Sequence, residues 1–224
     1  SLSEYLEKMP ENQKDIYYIS AETNAQALAS PHLEGFKSKK IPVLIMTDAI
    51  DQFWLPMIGS FKEKKFTSIT QGQINLDDLD KKSKNNKKDN KNEKEKQDKE
   101  YVDLVAQLKV VLGDQVKDIR LSSKLTDSPV CLVADEGDMD IAMEHLMAQR
   151  DTNYKGAPRI LEINGDHSLI KNMKSLLSKK ENNDLVSDAG TLLFEQARLM
   201  EGKMPADPAQ FSKIMNQFLL KAIP

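Results

Sequence analysis

The chain has a single cysteine, Cys131, among its 224 residues. No internal disulfide can form and no CxxC motif exists, which fits a reducing compartment. Histidine is almost as scarce. His32, His145 and His167 stand far apart, and no pair has the HxxxH spacing of a zinc-binding helix. No glycine-rich or glycine-lysine loop is present to cradle phosphates. No apolar run approaches the roughly 20 residues that a membrane-spanning helix needs. The start shows no secretory pattern; it lacks an initial Met and opens on a helical pattern, which reads as an excised piece of a longer chain. Charge is not one-sided: 32 basic and 35 acidic residues leave a net −3, which does not favour a nucleic-acid partner.

What is present divides in two. Asp80 to Glu100 reads DKKSKNNKKDNKNEKEKQDKE, with no apolar side chain. Such a segment cannot offset the entropy lost on ordering, so it is expected to be a charged linker or an extended helix over 80–100. Its mixed charge argues for a solvated spacer over a polyanion-binding stretch.

Residues 1–79 alternate helix and strand. Leu2, Tyr5, Leu6 and Met9 have helical spacing before Pro10, and Ile16–Ile19, Val43–Met46 and Phe66–Ile69 read as buried strands. Ser20 is the expected cap of a helix to Ala29, Ser30-Pro31 is a second helix start, and Thr47-Asp48 is the expected cap of the helix that carries Ile50, Phe53, Trp54 and Ile58. The alternation predicts a small three-stranded, mostly parallel αβα unit. Asp48 and Asp51 are a carboxylate pair near a strand end, read as a helix start, not a catalytic dyad. Phe53 and Trp54 lie about 100° apart on one helix, so burial of both is not expected and one is a candidate partner contact.

Residues 101–224 are expected to form an α+β domain. Tyr101 to Leu112 has a helical apolar face ending at Gly113, and strands are predicted at 116–121, 130–133 and 159–163. Cys131 is expected to be a buried, inert thiol. Met139, Met143, Leu146 and Met147 fall on one helical face and are candidate contacts for partners of no fixed shape. The lead-in Asp135 to Asp140 is not an EF-hand loop, because its glycine stands at the third position and not the sixth. The chain ends in two amphipathic stretches that predict a helical hairpin. One carries Leu185, Ala189, Leu192, Leu193, Ala197 and Met200; the other carries Phe211, Ile214, Met215, Phe218 and Leu219. Two copies of such a hairpin can close a four-helix bundle, making a homodimer.

The order of these segments resembles the C-terminal half of the heat-shock protein 90 chaperone family, in its bacterial form. The matching stretches are SLSEYLEKMPENQKDIYYISAE, SPHLEGFKSKKIPVLIMTDAID, VKDIRLSSKLTDSPVCLV, RILEINGDHSLI and LLFEQARLMEGKMPADPAQFSKIMNQFLL. The resemblance implies that 1–79 ends the middle domain and that 101–224 is the dimerisation domain. It implies client contacts at Phe53, beside Trp54, and at Met139, Met143, Leu146 and Met147. It places ATP and Mg binding outside this stretch, so no enzyme activity, cofactor or metal is expected here. It also implies a cytoplasmic location, a stress-response role, non-native client proteins, and the bacterial 70-kDa heat-shock chaperone system as a further partner. Gly165 and Ser168 stand where the family usually has prolines.

Two other readings compete. One is a nucleotide-dependent α/β enzyme, which the missing phosphate loop opposes. The other is a purely structural dimerisation module, which requires the Met139–Met147 face to be buried in its own core.

Overall fold

The computed structural model describes residues 1–10, 12–76, 97–151, 154, 156–179 and 182–223. The expected linker falls mostly outside the described residues; its last four, 97–100, are helical. The chain forms two units whose segments interleave. The first takes the described residues up to 76 with Ser123–Asp127 and Val133–Ala157. The second takes the described residues from 97 to Ser122, with Ser128–Leu132 and Pro158 onward. Residues 133–157 therefore belong with the first unit, whereas the sequence boundary assigned them to the second. No helical or strand period can report such long-range pairing.

In the first unit, β1 (Ile16–Ser20) is flanked in parallel by β2 (Leu44–Met46) and β4 (Lys64–Ser68). A two-residue strand, β3 (Ser60–Phe61), adds antiparallel to β4 and gives the order β2-β1-β4-β3. The hairpin was not foreseen because its turn is Lys62-Glu63, both at positive φ, where asparagine or glycine is the usual signal. The helices are α1 (Leu2–Lys8), α2 (Asn24–Leu28), α3 (Glu34–Ser38) and α4 (Asp51–Ile58). Thr23, not Ser20, caps α2, since Ser20 is still in the strand. The start of α4 has no side-chain cap, in contrast to the one expected from Thr47-Asp48. Tyr5 fastens α1: its hydroxyl donates to the Pro42 carbonyl at 2.8 Å and accepts the Tyr17 amide at 3.1 Å. Tyr17, Ile19, Ala27, Leu33, Phe36, Ile41, Ile69, Ile74 and Leu76 form the core.

Ser123–Asp127 completes this unit. The buried Lys124 ammonium donates to the Ile69 carbonyl at 2.9 Å, and the Thr126 and Asp127 amides donate to Glu34 at 2.8 and 2.9 Å. The backbone at Lys124 runs so close to α3 that a Cβ on Gly35 would lie 2.5 Å from the Lys124 oxygen. His32 is buried nearby; its Nδ1 has no hydrogen-bond partner among the described residues. Burial, with the Lys124 charge adding to it, holds its imidazole well below the usual histidine range.

The second unit has the sheet order β5-β7-β6, with β5 (Val116–Leu121) parallel to β7 (Arg159–Ile163) and β6 (Val130–Val133) on the far side. Central β7 is buried at all five positions. The helices are α5 (Val102–Leu112), α7 (Ser168–Ser178), α8 (Asn183–Met200) and α9 (Pro208–Ala222). One core joins α5, the sheet, α7 and α8 through residues that include Leu104, Leu108, Leu161, Ile163, Ile170, Leu193 and Phe194. The Glu162 carboxylate, buried, receives Arg120 at 2.8 Å and Ser122 at 2.9 Å.

Two outcomes are expected. Gly35→Ala should lower unfolding free energy by about 1–3 kcal/mol in urea denaturation, because the Lys124 backbone cannot retreat as a side chain could. Neutral His32 contributes stability that is complete above its unfolded pKa of about 6.5 and is lost as pH falls towards the folded value. Urea midpoints should therefore drop between pH 7 and 5 more steeply in the parent than in His32→Gln.

Candidate functional site

The remaining helix of the first unit, α6 (Ile141–Arg150), carries the methionine stripe. It lies at the carboxyl end of the parallel sheet. The Asp140 Oδ1 caps it by accepting the Ala142 amide at 2.9 Å. The Asp140 Oδ2 accepts the Ser68 hydroxyl at 2.5 Å and the Thr70 hydroxyl at 2.8 Å, both at the end of β4. At the last turn, Gln149 donates to Glu22, just beyond β1, at 3.4 Å. Burial, with the Asp140 charge adding to it, pushes the Tyr18 hydroxyl up to about 12. Ligands of open parallel sheets sit at this edge. Here the end of β4 is occupied by residues 134–140, through bonds to Ser68, Thr70 and Gln71.

The inward face of α6 is Ile141 and Glu144, both buried. Glu144 accepts the Ala157 amide at 2.8 Å. Met143, Leu146 and Met147 are half-buried, and Met139, which precedes the helix, is exposed with its sulfur 4.0 Å from the Tyr154 hydroxyl. None of the four belongs to the buried core. Glu144 turns inward although it is charged, because its carboxylate satisfies the loop that follows.

Helix α4 follows β2 in the same unit. Its two aromatics part company. Trp54 is half-buried, donating to Asp51 at 2.6 Å with its ring edge-on to Phe66 at 5.9 Å. Phe53 is exposed, beside the exposed Ile50, Met57 and Ile58. The sequence reading passes over Met57 (84% exposed), although it is the i+4 neighbour of Phe53 on that helix. Asp48 and Asp51 shape the helix start: Asp48 accepts the Ile50 amide, and Asp51 accepts the Asp48 amide and the Trp54 indole.

In the second unit, α8 and α9 form the expected hairpin. Asp207 caps α9 through two amides, with Pro208 in its first position. Helix α8 closes with paired bonds, Gly202 to Leu199 and Lys203 to Arg198, around a Gly202 at φ 77°. Buried Glu195 accepts the Ala206 amide and so holds the connecting loop. The candidate interface residues separate into two groups. Ala189, Leu193, Ala197 and Ile214 are buried within this chain, so they are not available to a second copy. Leu185, Leu192, Phe211 and Phe218 are half-buried, whereas Met200, Met215 and Leu219 are exposed. Leu199, Met204, Leu220 and Ile223, which the sequence reading passed over, are exposed as well.

Cys131 is buried, its thiol 3.9 Å from Glu162. His167 caps α7 through Nδ1, and no cluster of metal-ligating side chains occurs among the described residues. No helix among them is long and apolar enough to cross a membrane.

Limited peroxide oxidation followed by peptide mapping should modify Met57 and Met204 first, Met143 and Met147 more slowly, and Met173 last, following their exposure.

Comparison with known proteins gives the family. The Hsp90 protein family matches residues 1–224. A chaperone protein HtpG of Roseobacter denitrificans is 41% identical over the whole chain, which covers 36% of that relative. HtpG of Coxiella burnetii is 39% identical over 98% of the chain, and that of Streptomyces coelicolor 37% over 96%. In both of these the chain covers 33% of the relative, so it spans about a third of the length of the curated proteins it matches. The chain belongs to the Hsp90 protein family.

Proposed function

We propose that this chain is the homodimerisation and client-holding portion of an ATP-dependent molecular chaperone, acting in the bacterial cytoplasm on non-native proteins, and that it does not itself hydrolyse ATP. The observation that carries the reading is apolar surface left uncovered at two places. In the first unit Ile50, just before α4, and Phe53, Met57 and Ile58 on it are exposed, as is Met139 ahead of α6, with Met143, Leu146 and Met147 half-buried on that helix. On the hairpin of the second unit stand Leu199, Met200, Met215, Leu219 and Leu220. Exposed apolar groups clustered in this way are the mark of an interaction surface.

The two patches suit different partners. The hairpin patch lies on regular helices, as a helix bundle between two copies requires. The α4 and α6 surfaces are rich in unbranched, polarisable methionine, which adapts to clients of many shapes. Dimerisation would present two such surfaces to one client, so that the second contact forms at a raised effective concentration. The nucleotide-enzyme reading is disfavoured by the Asp140 carboxylate, a negative charge at the edge where a phosphate would have to sit.

Two variants test the two roles. Leu199→Glu with Leu219→Glu charges the exposed hairpin face without entering the core, and sedimentation equilibrium should find a folded monomer where the parent is a dimer. Serine at Met139, Met143, Leu146 and Met147 should weaken binding of a labelled, permanently unfolded polypeptide by about tenfold or more and leave the dimer intact. Unchanged affinity would reduce the chain to a dimerisation module.

A further inference from the structure

Helix α6 has ten residues, too few to be stable by itself in water, and only two of them are buried. Its place must therefore come from elsewhere, and the polar contacts at its start supply it. Ser68 and Thr70 are 4% and 6% exposed, and their hydroxyls meet an Asp140 carboxylate that is itself half-buried. Hydrogen bonds to an ionised acceptor are about twice as strong as neutral ones. The stretch leading into the helix is held by the same few residues. Gln71 Nε2 donates to the Asp138 carbonyl at 2.7 Å and to the Glu136 carbonyl at 3.2 Å. The Ala134 amide donates to the Thr70 carbonyl, and the Gly72 amide to the Ala134 carbonyl.

We infer that Ser68, Thr70 and Gln71 are positioning residues for client binding: from the end of β4 they set where α6 stands and which side chains it presents. The inference rests on the reading of α6 as a client-holding helix. It follows from a division of labour within the site. Methionine side chains adapt to the client, but they can do so usefully only on a backbone that stays in place. Ile141 and Glu144 alone give α6 a short inward face, while Asp140 joins the helix cap and the strand end in one carboxylate. Loss of the two hydroxyls leaves one oxygen of that carboxylate without its donors and frees the helix start.

The test uses the full chain with Ser68→Ala and Thr70→Val together. Valine keeps the shape of threonine, and the cap from Asp140 to Ala142 is untouched. Amide exchange across 141–150 should rise about tenfold or more while that of β1 is unchanged, and affinity for a labelled unfolded polypeptide should fall about fivefold. Thr70→Ser alone keeps a hydroxyl and should behave as the parent. Gln71→Ala should show a smaller change of the same kind. Unchanged exchange in 141–150 would overturn the positioning role. Faster exchange there with full affinity would instead overturn α6 as the client surface. Faster exchange in β1 as well, in both the double variant and Gln71→Ala, would reduce the three residues to general supports of the fold.

Discussion

The carboxyl edge of the first sheet is closed by the chain itself. Asp140 bonds the strand end at Ser68 and Thr70, and Ala134 bridges to Gln71 in parallel register. A parallel sheet of this kind ordinarily offers a crevice at that edge. At the end of β4 that place is taken by backbone and a carboxylate, and the segment that takes it leads directly into α6. The same closure explains why 133–157 belongs with residues far before it in sequence. Ala134, directly after β6, pairs at once with Gln71.

The second constraint is an excess of apolar helix. In the second unit α8 buries a full stripe against α5 and α7, at such close range that a Cβ on Gly190 would lie 2.3 Å from Leu108. Helix α9 has far less to pack on, and only Ile214 of its stripe is buried. Glu195 and the paired bonds around Gly202 nonetheless hold the hairpin in shape. The energetic cost of exposing the remaining face is therefore carried by an ordered surface, which suits association with a matching face better than general stickiness does.

Much of this was legible in the residues. The strands at 116–121, 130–133 and 159–163 follow from their apolar runs, and Asp207-Pro208 and Gly113 mark helix ends because each has a stereochemical reason to be there. What was not legible required knowledge of distant partners. Ser20 was read as a cap because a capping side chain looks the same at the end of a strand. The helix with Met143 was read from one face, and nothing local says that Glu144 turns inward to meet Ala157. Likewise, Ala189, Leu193, Ala197 and Ile214 share a stripe with Met200 and Leu219, and periodicity cannot tell which members of a stripe the chain covers itself. The ties from Asp140 to Ser68 and from Lys124 to Ile69 span 72 and 55 residues, beyond any pattern in a local window.

Amide hydrogen exchange of the full chain, with and without a permanently unfolded polypeptide, tests the client surface most directly. The account predicts slowed exchange at 141–150 and across α4 at 51–58, with β7 and α8 unchanged. Slowed exchange confined to α8 and α9, with none at 141–150, would contradict it.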